Sequence, residues 1–205
     1  MKKSRKLGLI FLIAFFSFLI GSIPSGYLIG KTKGIDLKST GSGNIGASNA
    51  YRVLGKKEAL LTLLFDMAKG FIVVLCVEKI PFAQNLKEIL VPVSIVSVVL
   101  GHDFSIFLKF KGGKGVATTY GSILIYSNYA YIGLLLWLII LKITKYASLA
   151  SLLSFSITVL LVLIFETSIK VKITFLILLC LMIIRHFSNI KRILEGKEHK
   201  IEGRV

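Results

Sequence analysis

Long stretches without a charged side chain constrain this chain more than any other feature. Leu7–Ile20, Ile89–Leu100, Val116–Leu141, Ala147–Phe165 and Thr174–Ile184 contain no Lys, Arg, Asp or Glu. A helix that crosses a bilayer needs roughly 17–25 predominantly apolar residues. Apolar runs of this kind read as the cores of membrane-spanning helices. Hydrophobic residues make up 55% of the chain, above the roughly 45–50% of a soluble domain. The expected fold is an all-α integral membrane protein, with residues 1–205 forming one polytopic domain.

Seven segments emerge, at about 7–29, 58–78, 88–108, 114–126, 128–141, 147–166 and 171–187. The fourth and fifth are short and separated only by Ser127-Asn128. They read either as two tilted spans or as one span with a re-entrant piece. The start of the chain, basic and then apolar, has the look of a secretion signal. Gly21-Ser22-Ile23-Pro24-Ser25 stands where a small-residue cleavage site is expected, so the first span reads as retained. Cys76 and Cys180 lie in apolar stretches without C-x-x-C spacing and read as packing residues.

Charge orients the segments. The net charge is +16, from 26 Lys and Arg against 10 Asp and Glu. With seven crossings, 17 of the cations fall on one side and eight on the other, with Lys69 inside a span. Lys and Arg are enriched in cytoplasmic loops, which places the N-terminus outside and the C-terminus in the cytoplasm. The cations sit between greasy segments, with no basic tail or aromatic-interleaved patch. They suit anionic lipid heads and phosphate-bearing substrates, and no nucleic-acid partner is expected.

The polar chemistry concentrates on the predicted cytoplasmic side. Gly41-Ser42-Gly43-Asn44-Ile45-Gly46 is a literal G-x-G-x-x-G, followed by Asn49 and Arg52. A dinucleotide turn needs a soluble strand before it and a βαβ unit around it, whereas membrane segments flank this one. What remains is the anion-binding physics of converging backbone N–H groups, with Ser42 and Asn44 as side-chain donors and Arg52 as a fork for phosphate oxygens. A plain polar turn is the competing reading. A second loop, Lys111-Gly112-Gly113-Lys114-Gly115, leads into the apolar run at Val116, a helix N-terminus suited to phosphate. Its spacing is not that of a Walker A loop. Ser148 sits at the mouth of the sixth segment. His186 and Asn189 share one helix face in the basic stretch from Arg185 onward. Asp66 and Lys69 lie three apart within the second segment, where charges are costly and either functional or a bracing ion pair. No metal-ligand constellation stands out, and no cofactor is expected.

The blocks GSIPSGYLIGK with DLKSTGSGNIGASNAYRVLGKK, then DMAKG, GHDFSIFLKFKGGKGVAT and RHFSNIKRILEGKEHK, run in that order from Gly21 to Lys200. Together they resemble the bacterial acyl-phosphate:glycerol-3-phosphate acyltransferase family, over nearly the whole chain. Ser48, Lys38 and Ser105 stand where that family usually has Thr, Arg and Pro. The resemblance implies a seven-helix membrane fold in the bacterial inner membrane, with its site facing the cytoplasm. It also implies transfer of an acyl group from acyl phosphate to the 1-hydroxyl of glycerol 3-phosphate, giving lysophosphatidic acid and phosphate. The implied catalytic residues are Ser42, Arg52, Lys111, His186 and Asn189. Substrate-binding roles fall to Gly41, Gly43, Asn44, Gly46, Asn49, Gly112, Gly113, Lys114, Gly115 and Ser148. Membrane lipids and a transient contact with the soluble acyl-phosphate synthase are the implied partners. The other glycerophosphate acyltransferase class uses a His-x4-Asp pair, which none of His102, His186 and His199 can form. A phosphate-ester transporter would use similar basic loops, but it should show an internal repeat, and none is visible. A structural lipid-binding subunit would make the loops dispensable.

Overall fold

The computed structural model describes residues 3–201, and every regular element among them is helical. In chain order these are α1 (Lys3–Gly21), α2 (Ser25–Thr32), α3 (Ala47–Val53), α4 (Lys56–Lys79), α5 (Gln84–Asp103), a 3₁₀ turn (Ile106–Leu108), α6 (Val116–Ile123), α7 (Tyr129–Thr144), α8 (Ala147–Phe165), α9 (Ile169–Arg185) and α10 (Phe187–Leu194). Each of the seven apolar segments therefore contains a helix.

Four stretches are long and apolar enough to cross a membrane: Ser4–Thr32, Lys56–Lys79, Gln84–Leu108 and Ala147–Phe165. A fifth is the pair α9 and α10, bent by 62° where they meet. The two segments around Ser127-Asn128 are the short ones. The 16 residues of α7 reach about 24 Å at ~1.5 Å per residue. The eight residues of α6 reach only about 12 Å, well under the ~30 Å of a hydrocarbon core. Most of α6 is buried, from Thr118 to Ile123.

Small residues set the helix packing. A β-carbon on Gly21 would overlap the backbone oxygen of Val98, and one on Gly101 that of Phe18, so α1 and α5 meet backbone to backbone. Gly70 lies in the same way on Thr118 of α6, and Gly121 on Met67 of α4. Without a hydrophobic drive between helices in lipid, such close approach maximises dispersion contact. Between these seams Tyr120, Phe155 and Phe175 fill the centre. Phe155 stands edge-on to Tyr120 and stacks on Phe175, with centroids 5.9 and 6.1 Å apart. The Tyr120 hydroxyl pairs with that of Ser154 at 2.8 Å, which satisfies both polar atoms in the core.

Large apolar side chains cover the outside, among them Leu7, Phe11, Leu64, Leu138, Leu160 and Ile184. That surface suits hydrocarbon as solvent. Cys76 and Cys180 are also exposed, on α4 and α9, so they face outward rather than pack. The period-3.6 face of a lipid-facing helix is as apolar as its core face, so the sequence cannot separate the two.

Candidate active site

The loop from Asp36 to Gly46 is folded around one side chain. Asn49, at the start of α3, is buried, and its amide nitrogen donates to the carbonyl oxygens of Leu37 (3.1 Å), Thr40 (3.0 Å) and Asn44 (2.8 Å). Its Oδ1 accepts from the backbone N–H of Ser42 at 2.8 Å. Gly41 and Gly43 have φ of +63° and +72°, a left-handed conformation that L side chains enter only at a cost. A β-carbon on Gly41 would also overlap Asn49 Oδ1. Asn49 thus organises the loop and has no amide hydrogen left over. The loop presents Ser42 and Asn44, and α3 presents Arg52, to the same cavity.

The second loop is clamped from below. The N–H of Gly113 donates to the carbonyl of His102 at 3.0 Å. Arg185, stacked over Phe104 with 4.9 Å to the ring centroid, donates to the Gly113 carbonyl at 2.7 and 3.0 Å and to that of Gly112 at 3.2 Å. Gly115, with φ +72°, caps α6. The first N–H groups of any helix lack intrahelical acceptors, and here they open α6 beside Lys114. Burial pushes the Lys114 ammonium down to about 8, with the nearby charge of Arg192 adding to the effect.

The chain from Arg185 onward closes the site. His186 sits at the bend between α9 and α10, buried, with Nδ1 2.9 Å from the Met182 carbonyl. A carbonyl only accepts, so Nδ1 carries a proton and Nε2 is left for other partners. Lys114 donates to Asn189 Oδ1. The Asn189 amide in turn donates to Glu198 Oε1 at 2.8 Å, as does the Ser148 hydroxyl at 3.1 Å. Arg192 Nε donates to Glu198 Oε2 at 3.0 Å. Arg52 spans 147 and 148 positions of sequence to donate to the carbonyls of His199 (2.9 Å) and Lys200 (3.2 Å).

One cavity of about 680 Å³ joins these pieces. Of the sequence-assigned residues, Ser42, Asn44, Gly46, Asn49, Arg52, Lys114, Gly115, Ser148, His186 and Asn189 line it. Gly41, Gly43, Lys111, Gly112 and Gly113 do not; the glycines shape the loops, and the Lys111 side chain is exposed. Residues the sequence did not single out also line it, notably Glu198, Arg192, His102 and Lys56. A carboxylate within a basic stretch was the available signal for Glu198. The cations around the cavity outnumber Asp66 and Glu198, which makes it a site for anions. Leu60 and Leu63 of α4 and Trp137, Leu138 and Leu141 of α7 give it an apolar wall. No group of three or more His, Cys, Asp or Glu side chains suited to a metal occurs among the described residues.

Comparison with known proteins agrees with this chemistry. A family model described as glycerol-3-phosphate acyltransferase matches residues 11–196. The glycerol-3-phosphate acyltransferase 2 of Thermotoga maritima is 44% identical over 192 residues, covering 93% of this chain and 95% of its own. The glycerol-3-phosphate acyltransferase of Ehrlichia canis is 40% identical, with 92% and 97% covered. Two crystal structures of PlsY (YgiH), an integral membrane glycerol 3-phosphate acyltransferase, share the fold. Its glycerol 3-phosphate form has a TM-score of 0.85 at 37% identity, and its lysophosphatidic acid form 0.81 at 36%; each covers 93% of this chain and 94% of its own. The chain belongs to the glycerol-3-phosphate acyltransferase family, as a multi-pass integral membrane enzyme of phospholipid biosynthesis.

Proposed function

We propose that this acyltransferase takes its acyl group from acyl phosphate and gives it to the 1-hydroxyl of glycerol 3-phosphate. The hydroxyl oxygen attacks the acyl carbon, the carbon–oxygen bond to phosphate breaks, and 1-acylglycerol 3-phosphate and inorganic phosphate leave. The hydroxyl proton passes to a phosphate oxygen. Acyl phosphate is a mixed anhydride with a good leaving group, so the protein's task is mainly positioning, which supplies roughly 7–11 kcal/mol in well-oriented reactions. The observation that carries the reading is the junction, in one cavity, of a cationic end and an apolar wall. Arg52, Lys114 and Arg192 offset the repulsion of two phosphates, and the acyl chain lies against Leu60, Leu63, Trp137 and Leu138. Ser42, Asn44, Ser148, His186 and Asn189 orient the two head groups, and Lys111 attracts them from outside.

The relative crystallised in glycerol 3-phosphate and lysophosphatidic acid forms supports the acceptor and the product. The seven helix-bearing apolar segments support a single domain with seven crossings, α6 being the short one. The bacterial relatives support the bacterial inner membrane, and the charge distribution supports the orientation. The N-terminus is outside and the site faces the cytoplasm, where a soluble acyl-phosphate synthase can deliver the donor. The test is purified protein in detergent with acyl phosphate and glycerol 3-phosphate, read as phosphate release. Turnover is expected without acyl-CoA; turnover only with an acyl thioester would overturn the choice of donor.

A further inference from the structure

Beneath the second loop lies a buried polar cluster that the mechanism above does not use. Asp66 and Lys69 form an ion pair at 2.9 Å, with both side chains buried. The Ser25 hydroxyl also donates to Asp66 Oδ1, at 3.0 Å. Besides Asp66, Lys69 Nζ reaches the Ile23 carbonyl at 2.9 Å and His102 Nδ1 at 2.8 Å.

An ammonium has three N–H donors and no acceptor. Here three acceptors surround it: a carboxylate oxygen, a carbonyl oxygen and a ring nitrogen. The third can accept only with its lone pair, so His102 Nδ1 carries no proton and the ring proton sits on Nε2. Asp66 Oδ1, at 3.5 Å from His102 Nδ1, is too distant to compete for a proton there.

His102 Nε2 is the end of the ring that faces the loop. A β-carbon on Gly113 would overlap it, so the imidazole edge lies against the bare α-carbon of that glycine. His102 lines the cavity beside Lys114 and Gly115. Among the described residues none accepts a hydrogen bond from Nε2.

We propose that His102 is a further substrate-binding residue, its Nε2–H donating to a substrate phosphate oxygen at the second loop, and that Lys69 is a positioning residue that fixes its tautomer. The inference rests on the phosphate-binding reading of the cavity. The chemistry required is an anionic phosphate oxygen, which either acyl phosphate or glycerol 3-phosphate offers. Asp66 holds the ammonium, the ammonium holds the ring, and Gly113 lets the ring reach the cavity floor.

The first measurement is made on the wild-type protein, ¹⁵N-labelled at histidine, with His102→Gln identifying the signal. A ring protonated at Nε2 and bare at Nδ1 is expected, with Nε2 shifting when inorganic phosphate is added. A proton on Nδ1, or no response to phosphate, would overturn the proposal. In kinetics, His102→Gln places an amide N–H near the Nε2 position and should keep kcat/KM within about ten-fold. His102→Leu should raise the KM of one substrate by about ten- to a hundred-fold, the factor carried by a hydrogen bond to a charged group. The substrate whose KM moves identifies the phosphate; equal KM values for both in all variants would overturn the idea. Lys69→Met with Asp66→Asn removes the buried pair without leaving a lone charge. That double variant should lose the fixed tautomer and bring the same KM change, and an unchanged ring signal would argue against the role of Lys69. Wild-type phosphate release from acyl phosphate tests the underlying reading separately from any of these variants.

Discussion

Gly121 of α6 packs directly on the carbonyl oxygen of Met67 in α4, with no room for a β-carbon between them. Replacing it with Ala must separate two helices whose other contacts are close-packed. Overpacking of this kind costs about 1–3 kcal/mol. Gly121→Ala should therefore lower the thermal midpoint of the detergent-solubilised protein. Gly8→Ala, whose added methyl meets nothing within 4 Å, should leave it unchanged. Equal midpoints for the two variants would contradict this account of the α4–α6 seam.

The Lys114 ammonium, lowered to about 8 chiefly by burial, should produce two opposite pH trends. The unfolded chain holds the extra proton between about 8 and the ordinary 10.5, so this group's contribution to stability rises with pH across that window. Anion binding runs the other way, because the charge is present below about 8 and lost above it. The KM of a phosphate-bearing substrate should rise as pH passes about 8, the value burial imposes on Lys114. Lys114→Arg should move that rise to higher pH, since a guanidinium keeps its proton. A KM profile identical in the two proteins would remove Lys114 from the anion site.

Glu198 should make the closing segment acid-sensitive. Burial pushes its carboxyl up, but the Asn189 amide, the Arg192 charge and the Ser148 hydroxyl outweigh burial and leave it below the ordinary 4.5. A depressed carboxylate stabilises fully above its unfolded value and loses that contribution as pH falls through the folded one. Backbone amides of residues 195–201 should therefore exchange faster as pH drops below about 4.5, after correction for intrinsic rates. Glu198→Gln should show fast exchange already at neutral pH. Slow exchange in that variant would mean that the segment is held by something else.

His186→Gln separates binding from proton transfer. With a substrate phosphate taking the proton, the variant should raise KM by about ten-fold, the scale of one lost hydrogen bond to an anion, while kcat changes little. A general base contributes about 10²–10⁴ in rate. A fall of kcat by that factor at unchanged KM would assign His186 the proton instead.

The helices were legible because hydrocarbon tolerates little else: each uncharged run is helical, save for the turn that breaks Val116–Leu141 between α6 and α7, and Asp66 and Lys69, three apart, form the ion pair their spacing allows. The glycines of both loops were legible for the same physical reason, since positive φ at Gly41, Gly43 and Gly115 leaves few other residues. Side-chain direction was not. Lys111 and Lys114 flank the same glycines, yet only Lys114 turns into the cavity, because glycines allow the backbone to point either lysine inward. Asn49 was expected to bind substrate; its amide is consumed by three carbonyls of its own loop, a closure invisible without the turn geometry. His102 was assigned no role, because its partners, Lys69 and Gly113, come from other elements.

The reach of Arg52 to His199 and Lys200, and of the Ile201 N–H to the Lys145 carbonyl at 2.7 Å, sets an order of assembly. Residues 198–201 leave the ribosome after α1–α10 have been made. A nascent chain can therefore be threaded into the bilayer helix by helix while its pocket is still lacking a wall. Only when residues 198–201 swing back onto α3 and the α7–α8 turn is the pocket finished, so its final wall is laid on a bundle of helices already in place.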